Sequence, residues 1–174
     1  DGDEGGHLRR AYSHFPIPEM AQRVLDRYFI EGGRDKKSTY KNVPNWEVEP
    51  PLPLIELAIV SNFAEVFLAK ENNTNPVGVN YLEKIQLPVV ASTIGAMLAG
   101  VDAVIMGAGI PKQMPKLIRD LSQGKIGEYK INVDGALSGE EFFIRLDPKE
   151  ILGQDIKLHA PAFLAIISSN TLAS

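Results

Sequence analysis

Apolar and polar positions along the chain switch between helical and strand-like spacing, and the switches mark its elements. From Pro18, Met20, Ala21, Val24, Leu25, Tyr28 and Phe29 recur at helical spacing, with Arg23, Asp26 and Arg27 opposite. Pro18 suits a first turn, Glu19 suits its dipole, and Gly32-Gly33 ends the run. Residues 34–53 are polar and proline-rich, which predicts a connecting arm that Trp46 anchors by burial. Leu54–Val60 predicts a first strand, followed by Ser61-Asn62 as a turn and cap. Phe63, Val66, Phe67 and Ala69 give the next helix its buried side, and Glu65 stands at capping-box spacing from Asn62.

The alternation continues with a second strand at 76–80 and a helix over 89–99, whose Ala91, Gly95, Ala96 and Ala99 permit close packing. A third strand runs from Val101 to Met106, and Met114, Leu117, Ile118 and Leu121 mark another helix. Between 125 and 147 two period-two segments, Tyr129–Val133 and Glu141–Leu146, are separated by Asp134-Gly135 and Ser138-Gly139 and predict an inserted β-hairpin. Pro161–Ser168 predicts a fourth strand, and Ser169-Asn170-Thr171 the turn into a helix that the chain does not complete.

Strands alternating with crossover helices imply a parallel sheet. Pattern alone leaves open whether it is an open doubly wound sheet or part of an eight-stranded barrel, and the length favours the open sheet. The organisation expected is a disordered or tag-like segment at 1–14, a helix and proline-rich arm at 15–53, and a βα unit array at 54–174.

Composition narrows the chemistry. The chain has 174 residues, 18 Lys plus Arg and 22 Asp plus Glu, a formal charge of −4, and no basic block of the kind that grips phosphate backbones. Nucleic acid is therefore not an expected partner. With no Cys, disulfides, thiolate nucleophiles and cysteine zinc sites are excluded, and His7, His14 and His159 are too scattered for a metal site. No apolar run is read as reaching the ~18–20 residues of a membrane span, and no signal pattern opens the chain, so a cytoplasmic location without membrane contact is the expectation.

The run Asn75-Pro76-Val77-Gly78-Val79-Asn80-Tyr81-Leu82-Glu83-Lys84-Ile85-Gln86, with Gly95–Asp102 and Met106-Gly107-Ala108-Gly109-Ile110-Pro111, resembles the nitronate monooxygenase (2-nitropropane dioxygenase-like) flavoproteins. Met20–Phe29 is similar to the opening helix of a longer bacterial subgroup, and the likeness extends from Phe15 to Thr171. Related proteins include stand-alone enoyl reductases of polyketide and polyunsaturated fatty acid synthesis. The resemblance implies α/β architecture, with parallel βα units forming the N-terminal half of a TIM (βα)8 barrel and FMN at the C-terminal strand ends. It implies a small-molecule substrate, with electrons drawn from a nitronate, NADH or NADPH. Carried over by position, it implies cofactor contacts from Ser61, Asn62, Asn80, Met106, Gly107, Gly109 and Ser168. The family's glycine-rich phosphate loops and its Gly-Gly-His segment, which carries the base, have no counterpart here, so no catalytic residue is assigned. A half-barrel without them is expected to form a homo-oligomer or to pair with a separate C-terminal half.

Each of these residues also has a plainer reading. Asn80 and Ser61-Asn62 suit turn and helix caps, Gly107-Ala108-Gly109 suits any βα turn, and Ser168-Ser169 is equally ambiguous. Glu83 and Lys84 suit a solvated ion pair, and His14 and His159 suit structural or exposed positions.

Overall fold

The long apolar stretch beginning at Leu52 folds as helix, and this decides the architecture. The computed structural model describes residues 2–167. In chain order the elements are α1 (His7–Ser13), α2 (Pro18–Tyr28), α3 (Leu52–Lys70), β1 (Gly78–Leu82), α4 (Val89–Leu98), β2 (Ala103–Gly107), α5 (Met114–Ser122), β3 (Gly127–Ile131), β4 (Phe142–Leu146), α6 (Pro148–Leu152) and β5 (Ala162–Ala165).

The expected strand at Leu54–Val60 is thus the first half of α3. Leu, Ala and Glu favour helix, and Pro53 sits in the first turn, where its missing N–H costs nothing. Ser61-Asn62 does not interrupt the helix, because the Asn62 amide donates back to the Ala58 carbonyl at 2.9 Å. An apolar run with no polar face reads alike as buried strand or buried helix, and length arbitrates only when the next break is placed correctly. The merged element has 19 residues with a mean hydropathy of 1.7 over its most apolar window, long and apolar enough to span a bilayer. Here Ile59, Val60, Phe63 and Ala64 are fully or nearly buried in the core.

Residues 7–13, within the segment expected to be disordered or tag-like, form α1. The Asp3 carboxylate accepts from the Leu8 and Arg9 N–H groups at 2.9 and 3.1 Å, and Ala11 and Tyr12 are buried. Helices α1 and α2 pack on α3, and Arg23 of α2 makes a two-pronged bond to the buried Glu56 of α3, at 2.5 and 3.1 Å. Trp46 is partly buried against the core, as the arm requires.

β2 is the central strand of a three-stranded parallel sheet, flanked by β1 and β5. The register pairs Asn80 with Ile105, Leu82 with Gly107, and Ile105 with Leu164. β3 and β4 form the expected antiparallel hairpin, which packs on α4 and α5. The chain is therefore mixed α/β with three parallel strands among the described residues.

Asp102, at the head of β2, accepts from Lys70 Nζ at 2.6 Å and from the Val77 N–H at 2.8 Å. The Lys70 bond first, then the backbone bond, hold its carboxyl below the ordinary value. A depressed folded-state value stabilises above the unfolded pKa, and the stabilisation is lost as pH falls through the folded one. The thermal midpoint should accordingly drop on acidification below about pH 4, less steeply in Asp102→Asn; identical pH profiles would show that Asp102 carries none of that dependence.

Candidate functional site

Strand alternation gives the parallel sheet two unlike faces. Tyr81, Val104 and Met106 lie on the helix-covered face, where Val104 and Met106 are fully buried. The Tyr81 phenol lies 2.9 Å from both Asn62 Oδ1 on α3 and the Ser92 carbonyl on α4, which ties the sheet to both helices. Burial raises the Tyr81 pKa well above the ordinary phenol value. The phenol stays neutral and acts as a donor.

The opposite face carries Gly78, Asn80, Leu82, Ile105, Gly107, Leu164 and, one step beyond β5, Ile166, whose N–H continues the ladder to the Met106 carbonyl at 2.9 Å. Leu164 and Ile166 are about half exposed, at 52% and 53%, and Leu82 is 45% exposed. This face is apolar apart from the Asn80 amide. Parallel sheets are ordinarily covered on both sides.

Of the residues implied to touch a cofactor, Asn80 and Gly107 share this open face. Gly107 closes β2 at its C-terminal end, where α/β proteins place their ligands, whereas Asn80 lies in the middle of β1, which runs two residues past the expected strand at 76–80. A Cβ on Gly107 would lie 2.9 Å from Ile166 Cδ1, so the glycine lets Ile166 fold over the strand end. Gly109 sits just beyond. A Cβ there would come within 2.7 Å of the Glu83 carboxyl carbon, which presses on the glycine backbone. Between the two glycines, Ala108 holds φ 59°, a strained conformation for a side-chain-bearing residue.

The remaining residues do not join them. Ser61 and Asn62 lie in mid-helix on α3, with Asn62 engaged by Tyr81 on the far side of the sheet. Met106 points into the helix layer, because it alternates with Ile105 and Gly107. Ser168 lies outside the described residues, as do Ser169-Asn170-Thr171. His159 and His14 are exposed, with His14 stacked on Phe67 at 4.7 Å.

Among the described residues Glu83 and Lys84 form no ion pair; Glu83 accepts instead from Gln86 Nε2 at 3.2 Å. Tyr81, Gln86 and Glu83 are the positions that sequence reasoning undervalued. Their signal was parity along β1 and the loop after it, not residue type.

A flavin makes two demands, one for its ring and one for its phosphate. An apolar floor with a single amide matches an isoalloxazine ring, whose body is apolar and whose rim carries hydrogen-bonding atoms. A phosphate needs a glycine nest or backbone N–H groups gathered at a helix start. α4 and α5, the helices after β1 and β2, begin behind Pro88 and Gln113 with no side-chain cap, which leaves their first-turn N–H groups without a side-chain acceptor. No group of His, Cys, Asp and Glu suited to a metal occurs among the described residues. Comparison with family models, with curated proteins and with solved structures gives no match.

Proposed function

We propose that this chain is the N-terminal portion of an FMN-dependent oxidoreductase of the nitronate monooxygenase kind, laid out as part of a (βα)8 barrel. The flavin supplies the redox chemistry, taking electrons from a nitronate or a reduced nicotinamide and passing them to oxygen or an activated double bond. The residues named here bind and orient the ring. Asn80 offers its amide, and Ile166 folded over Gly107 and Glu83 set against Gly109 bound the rim beside it. The observation that carries this reading is the open sheet face, whose one polar side chain, Asn80 in the middle of β1, is the asparagine of the Gly78-Val79-Asn80 motif that resembles the family.

The test is a visible spectrum of the purified chain, with FMN titrated in. Saturable binding that perturbs the flavin bands is expected, about tenfold weaker in Asn80→Ala, the equivalent of one well-placed hydrogen bond. Binding that Asn80→Ala leaves unchanged would overturn the site, and no binding would overturn the claim that this portion holds the ring unaided.

The open face also supports a second reading: a half-barrel without flavin that self-associates or pairs with a separate chain supplying the missing strands. A colourless protein that sizes as a dimer favours it.

A further inference from the structure

A second concavity lies beyond the loop after β1, and shares Ile85 and Pro88 with the hollow beside Asn80. The arm around Trp46, the loop after β1 and the end of β3 enclose a cleft of about 740 Å³. That volume lies within the range of small-molecule sites. Two of its walls are joined by a hydrogen bond, since the Asn132 N–H donates to Gln86 Oε1 at 2.7 Å. The hairpin carrying Asn132 is in turn fixed to the start of α5, where Gln113 bonds both the N–H and the carbonyl of Lys130, at 2.7 and 2.9 Å. The cleft is thus built on braced elements, although the arm that forms its third wall has no regular structure.

Its lining combines two chemistries. Trp46, Ile85 and Val133 give it an apolar, partly aromatic wall, and Ile85 is 55% exposed there. Exposed aliphatic side chains converging on the chain's only tryptophan are more than an isolated surface leucine would explain. Glu47 and Asp134 add two carboxylates and Lys84 one ammonium, so the lining carries a net negative charge. Among the described residues none of these three forms an ion pair, so the carboxylates are not neutralised within the chain. An indole beside uncompensated carboxylates is the pairing that recognises organic ammonium groups, through the ring face and through charge.

We propose that this cleft binds a small organic cation with an apolar body, an aryl- or alkylammonium compound. The body rests on Trp46, Ile85 and Val133, and the cationic head lies toward Glu47 and Asp134. Lys84 sets the upper limit on affinity, because its ammonium opposes the ligand's charge.

The single tryptophan makes the test direct, since indole fluorescence reports this cleft alone. The intact chain is titrated with benzyltrimethylammonium, with 3-phenylpropionate as the anionic analogue and benzyl alcohol as the neutral one. A saturable fluorescence change with the cation is expected, at least about tenfold tighter than with either analogue, and weakened by salt. The double variant Glu47→Gln, Asp134→Asn should bind the cation about tenfold more weakly, and Lys84→Gln about twofold to threefold more tightly. All three positions are exposed, so circular dichroism should show the fold unchanged. Preference for 3-phenylpropionate, lost in Lys84→Gln, would overturn the proposal by reversing the sign of the ligand. Equal response to all three probes, or none, would overturn it by showing no charge recognition.

Discussion

Gly95→Ala is expected to destabilise the protein by about 2 kcal/mol, although alanine is the better helix former. The position lies within α4 where that helix crosses α3, the most extensive helix pair of the fold. A Cβ there would lie 2.9 Å from the Ile59 carbonyl carbon, closer still to its oxygen, and 3.0 Å from Asn62 Cβ. The obstacle is helical backbone, which cannot rotate aside as a side-chain tip can. Overpacking against backbone falls at the top of the usual range, about 3 kcal/mol, and replacing a mid-helix glycine returns about 1 kcal/mol, which leaves a loss of about 2 kcal/mol. A shift of the helices would also strain the Tyr81 bonds to Asn62 and Ser92 that moor the sheet.

Gly78→Ala is the internal comparison. Its Cβ would find Ile105 Cδ1 at 3.4 Å, an ordinary contact with a movable methyl group on the open face. Its effect should stay within about 0.5 kcal/mol, as for surface changes generally. Urea unfolding of the two variants beside the parent measures both. Equal small losses would mean that the α3–α4 crossing relaxes freely and that Gly95 is not a packing requirement.

The small residues of α4 were legible in the sequence because alanine and glycine repeating among Val, Ile and Met can only mean close approach. So was the hairpin, whose period of two differs from the helical stretches around it. The run from Leu54 was not legible. Leu, Ile and Val fill a buried strand and a fully buried helix equally well, and Glu56, the one polar clue, acquires its meaning only from Arg23, 33 residues earlier. Ser61 and Asn62 left the site as a consequence, since their place there rested on that strand. The error at Met106 was of another kind. Asn80 pairs with Ile105, so Met106 must face the other way, and parity along β2 sufficed to exclude it once the register was fixed. The cleft beside Trp46 was out of reach, because its walls come from three segments that no local pattern joins.

Under the self-associating reading, replacing Leu164 and Ile166 together by lysine is expected to leave the chain monomeric. Both side chains stand on the open face of the sheet, about half exposed, with Ile105 and Leu82 beside them. β5 is moreover an edge strand, with one side of its ladder unpaired among the described residues. An apolar face beside a free edge drives association through burial and through strand pairing alike, whether the occupant is a second copy or the remainder of a barrel. Burying one Leu or Ile side chain contributes roughly 1.5–3 kcal/mol when complete, so losing two should weaken association by at least about a hundredfold even with partial burial. Inward charge on an edge strand also opposes strand addition directly.

Sedimentation velocity over a range of concentrations separates the outcomes. A parent that associates and a variant that does not, both with the same far-ultraviolet dichroism, would identify this face as the contact. A parent that is monomeric at every concentration would show that the face is tolerated in water, and would remove the self-associating reading. If the variant associates as strongly as the parent, the contact lies elsewhere. The covered side of the sheet holds Met106 and Val104 beyond reach, so the helical surfaces would then be the place to search.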